Sequence, residues 1–352
     1  MSLTESILTL ARSWLKKEDE WASLAKRLRF NSGKIQFKEA LEQNLIYPTN
    51  AKKPEGAFAA IDGGIAGEEF HGLDIIISRS LAAKFEYKNG ILSSHKYFPS
   101  SRPEFELNAK SGLEQFDKLR FTSLIRLRSE LNCAINALEN WPLSHLLLDG
   151  SIAPLVADKP PHDSELVELY SEVISFYHKL YKLSEEKNVN LIGVMKDSRG
   201  RRFTEMLARS AAESAPSLSH TSDTLFLDHL LEEGERTFAF RYSSAPSKNP
   251  VLKDLGKWAE KILTFYIKPV KGDRPLRIEF LSNSSSFDEI ANTMAGLCSL
   301  HPHYAYPAIL IEADLRAAID SNEASHVIAD LHTKLGKNRP LMQLRRNSRP
   351  FR

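Results

Sequence analysis

Cysteine is almost absent, with only Cys133 and Cys298 in 352 residues. Each lies within an apolar helical pattern, so two separate buried thiols are expected rather than one disulfide, which suits a reducing, cytoplasmic compartment. No CxxC pair and no HExxH occur, which argues against structural zinc and zincin chemistry. No apolar run approaches the ~20 residues a membrane span needs. The stretch SILTLARSWLKKEDEW near the start is broken by charge too early for a secretory signal. The chain also lacks GxxxxGKS/T, GxSxG and a GxGxxG after a strand, which removes P-loop, nucleophile-elbow and dinucleotide-binding readings. Bulk charge is missing as well. Lys and Arg number 47 against 45 Asp and Glu, a net charge of +2, which excludes a polyanion binder working by charge alone and an acidic solvating tail.

What is present is an ordinary globular composition, 42% hydrophobic and 26% charged, able to bury a sizeable core. Residues 3–30 place Ile7, Leu10, Trp14, Trp21, Leu24 and Leu28 at helical spacing, and 1–46 reads as a helical N-terminal extension. Residues 47–56, rich in Pro, Asn, Lys and Gly, read as a linker. Strands are expected at 57–62, ending in Asp-Gly-Gly as if feeding a turn, and at 73–87 and 91–99. Asn89-Gly90 between the last two marks a hairpin. A long helix follows, marked by Phe116, Leu124, Leu131 and Leu138 on one side. Then come a strand at 144–151, a helix at 164–187, a strand at 190–196 and a helix at 201–211.

Three antiparallel strands followed by βα units imply an α/β fold with a mixed sheet flanked by helices, which is the ribonuclease H-like order. Flavodoxin-like and Rossmann folds alternate strand and helix from the start, so the early hairpin argues against them. A helix near 223–232, inserted strands at about 237–283, and helices near 287–300 and 307–335 would complete a domain spanning 57–335. The tail 336–352 has six Lys or Arg after Gly336 and no acid.

Asp62 and Asp149 each end an apolar run and precede glycine. On neighbouring strands their carboxylates would meet at one sheet edge, where like charges repel unless a hard cation such as Mg²⁺ or Mn²⁺ lies between them. The competing reading is that Asp-Gly is merely a turn dipeptide. Glu130 borders an apolar helical face, where a carboxylate costs desolvation unless it is paired or metal-bound; Arg126, four residues earlier, offers a plain surface ion pair instead. Lys196 ends its strand beside Arg199, Arg201 and Arg202, as a phosphate-neutralising lysine with backbone-phosphate contacts would, or as a solvated loop would. Asp314 lies next to a buried helical face, with Glu312 its competitor. His301 and His303 flank a proline in a loop and read as surface or capping groups.

Six spaced blocks resemble the NurA nuclease family. They are AAIDGG (59–64), the Arg126/Glu130 helix, LLLDGS (146–151), IGVMKDSR (192–199), SDTLFLDHLLEEGERTFAF (222–240) and YAYPAILIEADLRAAI (304–319). The resemblance implies a ribonuclease H-like, metal-dependent DNA nuclease, usually manganese-stimulated. Such enzymes act on single strands and on duplex ends with 5′-to-3′ polarity. It also implies a homodimer that works with HerA, a hexameric ATP-driven DNA translocase, in end processing, repair or antiviral defence.

By the same resemblance Asp62, Glu130 and Asp149 fall on acidic metal-binding positions and Lys196 on a lysine-bearing motif. Where many members have an Ala-His pair, this chain has Ala313-Asp314, so Asp314 stands in the fourth ligand position and His303 is an outside candidate for the missing imidazole. The expectation is two cations on Asp62, Glu130, Asp149 and Asp314, activating water for in-line attack on a phosphodiester. The rivals are a non-catalytic adaptor that threads DNA for a hexameric motor, and a ribonuclease H-like enzyme acting on RNA. The apolar stripe of Trp14, Trp21 and Leu28 is expected either to contribute dimer or translocase contacts or to pack on the chain's own core.

Overall fold

The computed structural model describes residues 2–30, 39–210, 218, 221–336 and 344. Its centre is five strands whose order follows from the hairpin and the crossovers. Strands β2 (Gly56–Glu69), β3 (Asp74–Lys88) and β4 (Ile91–Phe98) form an antiparallel meander. Asn89 and Gly90 both take positive φ, 55° and 78°, as the two central residues of a tight hairpin turn require. β6 (His145–Asp149) then returns parallel to β2, and β7 (Asn190–Met195) adds parallel to β6. The resulting spatial order β4-β3-β2-β6-β7 is the ribonuclease H-like sheet.

Beyond β7 the sheet continues. The strands expected as an insertion extend it, with β11 (Leu276–Leu281) against β7, β10 (Ile262–Lys268) against β11, and β8 (Glu235–Thr237) and β9 (Phe240–Arg241) against β10. β1 (Ile46–Pro48), inside the tract read as extension and linker, closes that edge by pairing with β8. β5 (Glu106–Lys110), a strand that was not expected, pairs with the far half of β3.

Helices cover both faces. On one, α2 (Gln115–Asn140) and α3 (Val167–Glu186) bury Leu124, Leu131, Leu138, Tyr177 and Leu180 against Ala59, Ile61, Leu146 and Leu148. On the other, α6 (Phe287–Cys298) and α7 (Ala308–Ala317) bury Ile290, Met294, Ile309 and Leu310 against Phe58, Ala60, Leu147 and Val194. The strand residues of the two sets alternate, as the two-residue period of a pleated strand dictates. A third core lies under α1 (Leu3–Phe30), α4 (Arg202–Ser210) and α5 (Asp223–Leu230), where Trp21 and Leu24 meet Phe226, Phe238 and Phe240. The second half of α1 thus packs on the chain's own core, while Leu3, Ile7 and Leu10 in its first half are exposed.

Three readings are corrected. The Asp62-Gly63-Gly64 segment is no turn, because β2 runs straight through it to Glu69. The first of the inserted strands, expected to run on from 237, is instead two short pieces, β8 and β9. The helix expected over 307–335 is two, because α7 stops at Ala317 and Asp320 starts α8 (Ser321–Leu335) with a capping box to Glu323. Cys133 and Cys298 are buried and unpaired, as expected. No helix among the described residues is long and apolar enough to cross a membrane. The basic tail 336–352 lies outside the described residues apart from Gly336 and Leu344.

Candidate metal and phosphodiester site

Parallel pairing of β2 and β6 sets the site. Ile61 pairs with Leu148, which brings the next residue of each strand, Asp62 and Asp149, side by side. Asp62 is buried to 8% exposure, and Asp149 sits half-buried where β6 ends and Gly150 turns the chain with φ of 119°. Burial, then the neighbouring charge of Asp149, pushes the Asp62 carboxyl up to about 7. The amide of Gly63 donates to Asp62 Oδ1 at 2.7 Å and partly offsets this. Asp314, on α7, adds a further push through its charge and a hydrogen bond to Asp62.

Glu130 arrives from the opposite face of the sheet. α2 is tied to β3 there by Ser80 and Ser129, whose hydroxyls lie 2.8 Å apart, with Ser80 Oγ donating to the Ser129 carbonyl at 3.0 Å. In the β2–β3 register Gly63 stands opposite Ser80. A Cβ at position 63 would meet Glu130 Cγ and Oε1 at 2.8 Å, so the glycine is the gap through which the glutamate reaches the strand. Arg126 Nε stands 3.7 Å from Glu130 Oε1, too far for a hydrogen bond, and that oxygen is buried without a hydrogen-bond partner. Burial pushes the Glu130 carboxyl up to about 8, with Arg126 opposing and Asp62 and Asp149 reinforcing. The plain ion-pair reading of Glu130 is thus only half met.

Lys196 lies one residue past β7 and places Nζ 3.3 Å from Asp149 Oδ2. Burial is the largest single influence and opposes its charge, but Asp149, Tyr304 and Asp314 together outweigh it and its pKa is raised. Tyr306, which sequence reasoning missed, donates its hydroxyl to Asp149 Oδ1 at 2.7 Å and carries Lys196 Nζ over its ring at 4.3 Å. Its only sequence signal was an aromatic shortly before α7.

Of the remaining candidates, Asp314 is exposed on α7 beside Asp62, whereas Glu312 is engaged elsewhere, by Tyr97 Oη at 2.7 Å and Arg316 Nε at 2.5 Å. Arg202 does not fit a free phosphate contact, because Glu39 holds its Nη2 at 3.0 Å. Arg199 and Arg201 are exposed on the loop that leads from Lys196 into α4. His303 lies on the exposed loop before α7, where its amide bonds His301 Nδ1 at 3.1 Å.

The structure therefore brings Asp62, Asp149, Asp314 and Lys196 to one edge and Glu130 to it from behind. Among the described residues no three His, Cys, Asp or Glu side chains close into a ready-made metal cage. The donor set is nonetheless all oxygen, crowded and short of positive charge, with one buried oxygen unpartnered, which fits a hard divalent cation.

A family model described as NurA domain matches residues 56–319. Among solved structures, the NurA nuclease from Sulfolobus solfataricus superposes with a TM-score of 0.60 at 17% identity, covering 96% of this chain and 98% of that one. A structure of NurA bound to dAMP and manganese gives 0.61 at 13% identity, covering 97% and 99%. A structure of NurA with manganese gives 0.57 at 14%, covering 94% and 98%. At these identities the structural likeness establishes the fold. No curated protein matches the chain.

Proposed function

The chain belongs to the NurA family, and on that premise we propose that it is a metal-dependent deoxyribonuclease whose acids Asp62, Glu130, Asp149 and Asp314 hold Mn²⁺ or Mg²⁺, two ions in the full site. The observation that carries the reading is that Asp62 and Asp149 directly follow the last registered pair, Ile61 and Leu148, of two adjacent parallel strands, backed by a Glu130 oxygen left without a hydrogen-bond partner. Burying carboxylates that push one another towards protonation destabilises the fold unless positive charge arrives from a ligand.

A cation bound there would supply an activated water and stabilise the leaving oxygen of a phosphodiester. The chain's own residues do the rest. β2, β6 and α2 fix the backbone positions of three acids, so that their closure is a matter of side-chain torsions. Tyr306 holds one oxygen of Asp149 and thereby orients the other. Lys196, at the mouth of the site, neutralises Asp149 in the free protein and is placed to meet a substrate phosphate. Arg199 and Arg201 extend that positive rim and would contact the DNA backbone without reading sequence.

The finer assignment follows the resemblance: single-strand endonuclease and 5′-to-3′ exonuclease action, a homodimer, and a HerA-like hexameric ATPase as partner in DNA end processing; the two unpaired cysteines suit the cytoplasm as its place. The exposed apolar start of α1 supports a contact role for that segment. The test uses 5′- and 3′-labelled single and duplex DNA with Mn²⁺, with and without the translocase, and with RNA and hybrid controls. Short 5′-terminal products are expected; intact DNA under every condition would favour the adaptor, and preferential RNA cleavage the ribonuclease.

A further inference from the structure

Asp314 belongs to a helix whose last turn is held in place by an arginine that the site itself does not use. Arg79 lies on β3, is 4% exposed, and pairs in register with Gly64 of β2. Its Nε donates to the Ala317 carbonyl at 3.0 Å, and its Nη2 donates to the Ala318 carbonyl. The same guanidinium bonds both carboxylate oxygens of Glu323 at the start of α8, at 3.3 and 3.0 Å, and lies 5.1 Å from the ring of Phe105. The final carbonyls of a helix have no partner within it and carry partial negative charge, so a buried guanidinium on them is favourable twice over. The Ala318 amide closes that turn by donating to the Asp314 carbonyl at 2.8 Å.

Gly64 supplies the second half of the arrangement. A Cβ there would stand 1.9 Å from the Ala317 carbonyl oxygen, so the helix end rests directly on the strand backbone. Ala313 and Ala317, both buried on the face of α7 that meets the sheet, permit the same close approach. The alternation of β2 places Asp62 and Gly64 on one face, and Asp314 meets Asp62 there.

We propose that Arg79 and Gly64 are positioning residues for Asp314: the arginine draws the last turn of α7 onto β2, the glycine lets it seat, and together they set the distance between the Asp314 and Asp62 carboxylates. The proposal rests on the reading of Asp314 as a metal-holding acid, and its consequence is that metal affinity is set in part from the helix end.

The test compares Arg79→Ala, Arg79→Lys and Gly64→Ala, each alone and combined with Asp314→Asn, by two measurements on the full chain. The first is amide hydrogen exchange across 314–318 in the metal-free protein. The second is Mn²⁺ affinity by calorimetry. Arg79→Ala should speed exchange at 314–318 at least tenfold while β6 and β7 stay protected. It should also weaken Mn²⁺ binding about 10- to 100-fold. Arg79→Lys should recover part of that loss, and in the Asp314→Asn background Arg79→Ala should change affinity less than about twofold.

Unchanged exchange at 314–318 in Arg79→Ala, or a full additive loss of affinity in the Asp314→Asn background, would overturn the proposal. If Gly64→Ala fails to fold, the two arginine variants decide. Wild-type Mn²⁺ affinity in Asp314→Asn, with accelerated exchange in Arg79→Ala, would strike Asp314 from the ligand set and refute the clamp's reach to the metal, while locating the failure in the site reading rather than in the helix contact.

Discussion

Adding Mn²⁺ to the metal-free protein should expel protons, and the structure sets how many. Asp62 is held up to about 7 and Glu130 up to about 8 by burial and by the charges around them. At pH 7 both are then substantially protonated, so binding both as carboxylates releases on the order of one proton. At pH 9 the release falls to about 0.1, whereas two acids with ordinary values would release almost none at either pH.

The sign carries over to stability. A carboxyl whose native value is raised keeps its proton more tightly folded than unfolded, so the metal-free fold is favoured below about pH 4 and loses that contribution as pH climbs through 7 and 8. The loss is at most about 4 kcal/mol for Asp62 and about 5 kcal/mol for Glu130. The assay is isothermal titration calorimetry with Mn²⁺ in buffers of different ionisation enthalpy at pH 7 and pH 9, paired with thermal unfolding of the metal-free protein across pH 5 to 9. Fewer than about 0.2 protons released at pH 7 in every buffer, or metal-free stability that rises from pH 5 to 8.5, would refute the reasoning.

Gly63→Ala should cut nuclease activity at least about tenfold, because its Cβ would meet Glu130 Cγ and Oε1 at 2.8 Å; a steady-state cleavage assay beside a thermal melt checks this. Arg199→Ala should weaken DNA binding similarly on all sequences and reduce the salt slope by about 1. Arg202→Ala should leave that slope alone and lower the melting temperature, since Arg202 is bound to Glu39. Arg277→Met should destabilise the fold by about 3–5 kcal/mol in urea unfolding, by stripping the fully buried Glu279 of its ion-pair partner.

The central sheet was readable because its signals are local. Asn89-Gly90 fixed the hairpin, and short apolar runs ending at Asp62 and Asp149 marked the strands that end up adjacent. The Asp-Gly-Gly segment misled because glycine in a strand looks like a stop. Here Gly63 and Gly64 are demanded by what lies above and below them, Glu130 on one face and the end of α7 on the other, and nothing near them in sequence says so. Tyr306 and Arg79 were invisible for the same reason: each acts on a residue more than 150 positions away. Arg277 and Glu279 are both buried because β11 is an interior strand covered on both faces, which nothing adjacent in sequence announces. Arg202 reads as part of a basic loop until Glu39, from a distant segment, takes it.

Asp62 and Asp149 are proposed as the acids on which DNA hydrolysis depends. Mn²⁺-dependent cleavage of end-labelled linear DNA by the wild type, Asp62→Ala and Asp149→Ala tests that assignment most directly, each variant first shown to be folded. Cleavage is expected from the wild type, abolished by chelation and reduced at least about a thousandfold in either variant. Undiminished cleavage by a folded Asp62→Ala or Asp149→Ala protein would contradict the assignment.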